Sequence, residues 1–186
     1  VLRPSLHQSG TIRPAPTPGV IASGYGSNIF LGSAVAVTTD GTLIIVGTTG
    51  ALQGAFQGVE YTPTGGGRRV VSNWWASGTT YTTGSSQPFY AWFMKDPYVT
   101  YEIQADGSVA QANLGNVAPL TAEVGNTTVG FSTQALHAAS LASSGNNQLR
   151  VVGFGQEIDN TPGDTYTIVQ VQIADHQDVA QAAGYG

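Results

Sequence analysis

Thr165-Tyr-Thr-Ile-Val-Gln-Val-Gln-Ile-Ala174 is the stretch that decides the fold class. Val169, Val171 and Ile173 alternate with Gln170 and Gln172, so a strand through this run collects most of its apolar side chains on one face and its amides on the other. One dry face and one wet face is the pattern of an antiparallel sheet. The run follows a turn at Pro162-Gly163, and no helix-period segment separates it from its neighbours, as a βαβ unit would require.

Working outward, the same punctuation recurs from Val20 onward: Gly, Asp and Asn turns between short runs rich in Val, Ile, Thr, Tyr and Phe. Residues 34–39 and 42–46 flank Asp40-Gly41, and 98–105 and 108–114 flank Asp106-Gly107; both dipeptides supply the positive φ angles of tight hairpins. A third hairpin joins 54–62 to 68–75 through Pro63, Thr64 and the triplet Gly65-Gly66-Gly67. Further strands are expected at 88–95, 129–137 and 148–154. The stretch 132–142 tolerates either helix or strand and reads as a strand followed by a loop. No repeat of solenoid period is present.

The first nineteen residues carry Pro4, Pro14, Pro16, Pro18 and Gly19, a density that forbids helix and favours an extended arm. Residues 175–183 could form one or two helical turns before a Gly-Tyr-Gly end that frays without a partner. The expectation is an all-β chain, an antiparallel sandwich or barrel of jelly-roll type. It has an arm at 1–19, a single β domain at 20–174 and a tail at 175–186.

Composition narrows the function classes. The 186 residues include 41% hydrophobic and 9% charged side chains, against about 25% charged in ordinary domains. That is too apolar for disorder and too evenly mixed for a membrane span. Six Lys and Arg against eleven Asp and Glu give a net charge of −5, too few cations to neutralise nucleic-acid phosphates. With no Cys there is no thiol chemistry, thiolate metal site or disulfide. The start lacks the basic region and apolar core of a signal peptide.

Chemical motifs are weak throughout. No Gly-x-Ser-x-Gly elbow occurs. Only His7, His137 and His176 could serve as a base, and His7 in the arm and His137 at a strand end read as structural or surface residues. His176 between Asp175 and Asp178 reads as a solvated cluster, because a metal needs three or four convergent ligands. Glu157, Asp159 and Asp164 do not match a calcium loop. Glu60 and Glu102 read as solvent-facing carboxylates rather than a glycosidase pair. Gly24-Tyr25-Gly26 and Gly153-Phe154-Gly155 read as turns or bulges, and Asn126-Thr127-Thr128 is a formal glycosylation sequon. No catalytic residue, metal site or cofactor is expected.

The aromatic residues say more. Adjacent tryptophans in a strand point to opposite faces, so Trp74 and Trp75 cannot both enter one core, and one of them faces a partner or a second layer. Trp92 adds a third indole. Arg68 and Arg69 begin the same stretch as Trp74, and Trp and Arg are the residues most enriched at binding hot spots. The candidate binding residues are therefore Arg68, Arg69, Trp74 and Trp75, with Arg3 and Arg13 from the arm.

Several stretches follow one another in a telling order: Ser9-Gly-Thr-Ile-Arg-Pro14, Ala22-Ser-Gly-Tyr-Gly-Ser-Asn-Ile-Phe30 and Gly54-Ala-Phe-Gln-Gly-Val-Glu-Tyr61 leading to Gly67-Arg-Arg69 and Val71-Ser-Asn-Trp74. The series continues with Asp96-Pro-Tyr-Val-Thr-Tyr-Glu-Ile-Gln-Ala-Asp-Gly107, Gly125-Asn-Thr127, Asp159-Asn160 leading to Gly163-Asp-Thr-Tyr166, and Val169-Gln-Val-Gln-Ile-Ala-Asp-His-Gln177. In that order the stretches resemble a family of tailed-bacteriophage virion proteins of the head decoration, or capsid cement, type.

The resemblance implies a virion protein on the outer capsid surface that bridges neighbouring major capsid protein subunits. It implies a homo-oligomer with a trimer favoured, made in the bacterial host cytoplasm, with no enzymatic activity and no nucleic-acid or membrane partner. The alternatives are a neck, tail or host-facing virion protein, and a glycan-binding β module that uses Trp74, Trp75 or exposed Tyr side chains.

Overall fold

In the computed structural model, which describes residues 1–10, 15–84, 88–145 and 147–179, the chain forms eleven strands among those residues. They are β1 (Arg3–His7), β2 (Thr17–Gly19), β3 (Ala34–Val37), β4 (Leu43–Ile45), β5 (Gly54–Tyr61), β6 (Val70–Ser72), β7 (Tyr90–Met94), β8 (Val99–Gln104), β9 (Val117–Ala118), β10 (Leu149–Phe154) and β11 (Ile168–Ile173). One sheet runs β1-β8-β11-β10-β9; the other runs β2-β7-β5-β3-β4 with β6 on β5. All these strand pairs are antiparallel. The two sheets pack as a sandwich and do not close into a barrel, so each keeps two edges.

The alternating run lies where its pattern put it. β11 sits between β8 and β10, with Val169, Val171 and Ile173 buried and Gln170 and Gln172 half-exposed. The Asp40-Gly41 hairpin forms, pairing Val35 with Ile45 and Val37 with Leu43. The third hairpin also forms, though its second strand is only the three residues of β6.

The hairpin expected at Asp106-Gly107 does not form. The Asp106 carboxylate is taken by a distant turn instead: Oδ1 accepts the Ala138 amide at 2.7 Å and Oδ2 lies 2.6 Å from His137 Nδ1. The amides of Ala105 and Val109 go to the carbonyl and hydroxyl of Thr167. The chain therefore leaves the sheet after β8, and residues 108–114 hold a short 3-10 turn, Gln111–Asn113. The strand expected at 129–137 is likewise replaced by isolated bridges through Phe131 and Leu136.

Side-chain amides stand in for the missing ladder. Gln134, 1% exposed, accepts the Ala34 amide at 2.8 Å and donates to the Val46 carbonyl at 2.7 Å. Gln148 accepts from Leu120 and donates to Gly47 and Gly50. Gln177 closes on both backbone groups of Val37, and Asn160 pairs both backbone groups of Ile168. Buried backbone groups must find partners, and here carboxamides supply them where no strand is adjacent.

The core has two layers because the β3-β5-β7 sheet is buried on both faces. Ala34, Ala36, Ala55 and Met94 face the other sheet and join Tyr101, Ile103, Val169 and Val171. Val35, Phe56, Ala91 and Phe93 point the opposite way and are covered by Ile21, Ile29, Trp75 and Phe89 from connecting segments. One strand thus alternates between two dry environments.

Residues 3–7 and 17–19 are extended, in keeping with Pro4 and Pro18, but they do not form a free arm. β1 is an edge strand on β8 and β2 an edge strand on β7, one on each sheet. Leu2 is completely buried in the inter-sheet core, and its amide donates to the Gly32 carbonyl at 3.0 Å. The apolar Leu2 outweighs the tendency of a proline-rich segment to stay loose, since burying one Leu contributes about 1.5–3 kcal/mol. The tail forms no helix over 175–179: His176 is buried and bridges Leu52. Residues 180–183 of the expected helical segment lie outside the described residues.

Candidate interaction surface

The cations proposed for binding are mostly engaged within the chain. Arg3 donates to Glu102 and reaches Glu157 at 3.5 Å, and the hydrogen bond to Glu102 holds its guanidinium above the ordinary arginine value. Arg69 pairs with Glu60, which raises its pKa in the same way, and also donates to the Pro88 carbonyl at 3.2 Å. Arg68 is exposed and makes no ion pair among the described residues. Arg13 lies outside the described residues.

The two adjacent tryptophans separate as strand geometry requires. Trp75 is completely buried, with Tyr61, Phe89 and Tyr81 around it at ring-centroid distances of 5.4, 5.8 and 6.1 Å. These contacts are edge-to-face, the arrangement favoured by ring quadrupoles. Its Nε1 is buried with no hydrogen-bond acceptor among the described residues. Trp75 is therefore a core residue, and its place among the partner-contacting residues is corrected: a fully enclosed indole presents no surface. Trp74 is only half-buried and stacks on Phe30 at 5.6 Å with an interplanar angle of 15°.

Around that stack lies an apolar surface that the sequence did not single out. Val124, Val129 and Phe131 are 79%, 51% and 47% exposed. The loop carrying them is fixed against the Phe30–Trp74 pair. Asn73 Nδ2 donates to the Val129 carbonyl at 3.0 Å, and Asn126 Oδ1 accepts the Thr128 and Val129 amides, so the sequon asparagine closes a turn. Gly125, at φ +63°, lies so close to Phe30 that a Cβ there would sit 1.8 Å from the ring. Only glycine admits this approach.

Glu123 anchors the same loop. Its carboxylate accepts the Ser33 hydroxyl at 2.7 Å, the Thr133 amide at 3.0 Å and the Ser132 hydroxyl. The surface is thus apolar outside and hydrogen-bonded beneath. The signal in the sequence was slight: Val124, Val129 and Phe131 are scattered among Gly, Asn and Thr.

The titratable candidates each contact neighbouring side chains or backbone groups. His7 Nδ1 lies 2.7 Å from Ser9 Oγ, and Nε2 lies 3.1 Å from Asp96 Oδ2, a serine–histidine–aspartate sequence of contacts. The Ser9 amide also donates to Nδ1, at 3.1 Å, so hydroxyl and amide converge on one nitrogen and the imidazole fastens the end of β1 to the turn before β8. His137 is held by Asp106. His176 Nδ1 accepts the Asp178 amide, and its Nε2 lies 3.0 Å from the Lys95 carbonyl.

Asp178 is held below the usual carboxylate value chiefly by the Gln53 amide, with Lys95 assisting. Asp164 and Asn160 tie the backbone of their own loop. No group of three or more His, Asp or Glu side chains converges as a metal site among the described residues. Glu60 on β5 and Glu102 on β8 belong to different sheets, each beside an arginine.

A scan against protein-family models finds no match, and neither a search of curated proteins nor one of solved structures returns a similar protein.

Proposed function

We propose that this chain is a bacteriophage head decoration protein that binds the outer surface of the capsid and bridges neighbouring major capsid protein subunits as a homotrimer. The observation that carries the reading is the braced apolar surface of Val124, Val129 and Phe131 over the Phe30–Trp74 stack. Large apolar side chains left exposed together on one loop mark interaction sites on folded domains. Because the loop is already tied by Asn73, Asn126 and Glu123, little ordering entropy remains to be lost on binding. Arg68, exposed and in no ion pair among the described residues, adds a cation on an otherwise acidic chain.

The resemblance read from the ordered sequence stretches supports the same reading. A cement protein needs no single tight contact: modest interfaces repeated within an oligomer on a regular lattice gain through effective concentration.

The test is reconstitution. Purified chain added to heads that lack it should bind saturably, and light scattering should give three chains per particle in solution. Val124→Ser combined with Phe131→Ser should lower head occupancy about tenfold at unchanged melting temperature. Failure of the wild-type chain to bind heads, or equal occupancy by the double variant, would overturn the proposal.

A further inference from the structure

On β7 the face that carries Met94 also carries Trp92 and Tyr90. Met94 lies under the opposite sheet and is almost completely buried, while Trp92 and Tyr90 are only partly covered. This face of β7 is therefore closed at Met94 and partly open at Trp92 and Tyr90, whose rings form an aromatic ledge. The two rings are stacked at 5.4 Å with an interplanar angle of 29°.

Across the sheet, Trp92 pairs with Gly58 on β5 and with Pro18 on β2. Neither neighbour has a long side chain to lay over the indole. The Gly58 position is itself restricted, since at φ +137° a Cβ would lie 3.0 Å from the Ser72 carbonyl oxygen. Tyr90 pairs with Glu60, whose carboxylate is bound by Arg69, and the guanidinium carbon stands 5.8 Å from the centre of the Tyr90 ring. The ledge ends in a planar donor–acceptor pair whose charges cancel.

We propose that this ledge binds neutral pyranose rings of a glycan. The C–H face of a pyranose is flat and apolar and stacks on an indole. The hydroxyls around its rim take bidentate hydrogen bonds, the contacts that a paired carboxylate and guanidinium offer. A phosphorylated or sulfated ligand gains nothing from a site in which Glu60 already neutralises Arg69. An aliphatic protein surface would leave the carboxylate and guanidinium desolvated without new partners.

The proposal is independent of head binding, because its residues are not those of the Val124–Phe131 surface. A chain that decorates heads and ignores glycans would overturn this inference alone.

The experiment is an array of neutral oligosaccharides ending in glucose, galactose, mannose or N-acetylhexosamine, followed by titration of the best binder with tryptophan fluorescence as the readout. Saturable binding with a change in indole emission is expected. Trp92→Ala should lower the affinity about tenfold or more, whereas Trp92→Phe should retain most of it. Glu60→Gln, which keeps the shape of the site, should weaken binding without shifting the melting temperature. Absence of saturable binding on the array, undiminished affinity in folded Trp92→Ala, or capture of proteins but not sugars would overturn the proposal.

Discussion

Leu2→Ala separates a docked N-terminus from a loose one more sharply than any deletion. Leu2, just before β1, is completely buried, whereas Leu6, four residues on within that edge strand, is 42% exposed. Removing three buried carbons from Leu2 forfeits about 2.4 kcal/mol at roughly 0.8 kcal/mol each. The residual cavity brings the cost to about 3 kcal/mol, within the range of buried Leu→Ala changes. For a chain of this length each kcal/mol lowers the melting temperature by about 2–4 °C, so Leu2→Ala should melt about 6–12 °C lower. Leu6→Ala removes the same atoms from a wetter place and should stay within about 0.5 kcal/mol of wild type. Scanning calorimetry and urea titration read both. Equal melting temperatures for the two variants would refute the docking of this stretch into the inter-sheet core.

Two further outcomes follow from buried polar groups. Burial pushes the Tyr101 phenol well above its ordinary value of about 10, with Asp96 adding to the effect. Its contribution to stability is therefore complete below pH about 10 and is lost as pH rises beyond that toward the folded-state value. Tyr101→Phe should flatten the alkaline limb of the stability profile while changing little at neutrality, where its hydroxyl makes a long hydrogen bond to the Met94 carbonyl at 3.4 Å; an unaltered limb in alkaline urea titrations would count against this. Gln134→Ala orphans the Ala34 amide and the Val46 carbonyl and should cost about 3 kcal/mol. Hydrogen exchange should then accelerate at Ala34, and continued protection there would contradict the role given to Gln134.

What could be read from the chain was whatever a local pattern encodes. Val169, Val171 and Ile173 announce a strand because period-two burial is written in neighbouring residues, and Asp40-Gly41 announces a turn because its φ angles are a local matter. Asp106-Gly107 carried the same local signal and gave no hairpin, since its carboxylate was claimed by His137 and Ala138 from 31 and 32 residues away. The N-terminal prolines announced the extended backbone found at 3–7 and 17–19 but not its location, which depends on Leu2 finding the core.

The separation of Trp74 from Trp75 was legible in principle, but which of them faces outward was not. That choice belongs to Ile29, Tyr61 and Phe89, which close around Trp75. The Val124–Phe131 surface had no periodicity to reveal it, since its shape rests on Gly125 and on side-chain contacts to Asn73 and Glu123.

The carboxamide clamps have a consequence for endurance. Gln134, Gln148, Gln177 and Asn160 fasten separate margins of the body without carrying charge, so changes in acidity or ionic strength leave those fastenings in place. Their weakness is chemical ageing. Slow hydrolysis of the Gln134 carboxamide would convert its donor nitrogen into a buried anion facing the Val46 carbonyl, and the protein's working lifetime would then be limited by a covalent clock rather than by heat.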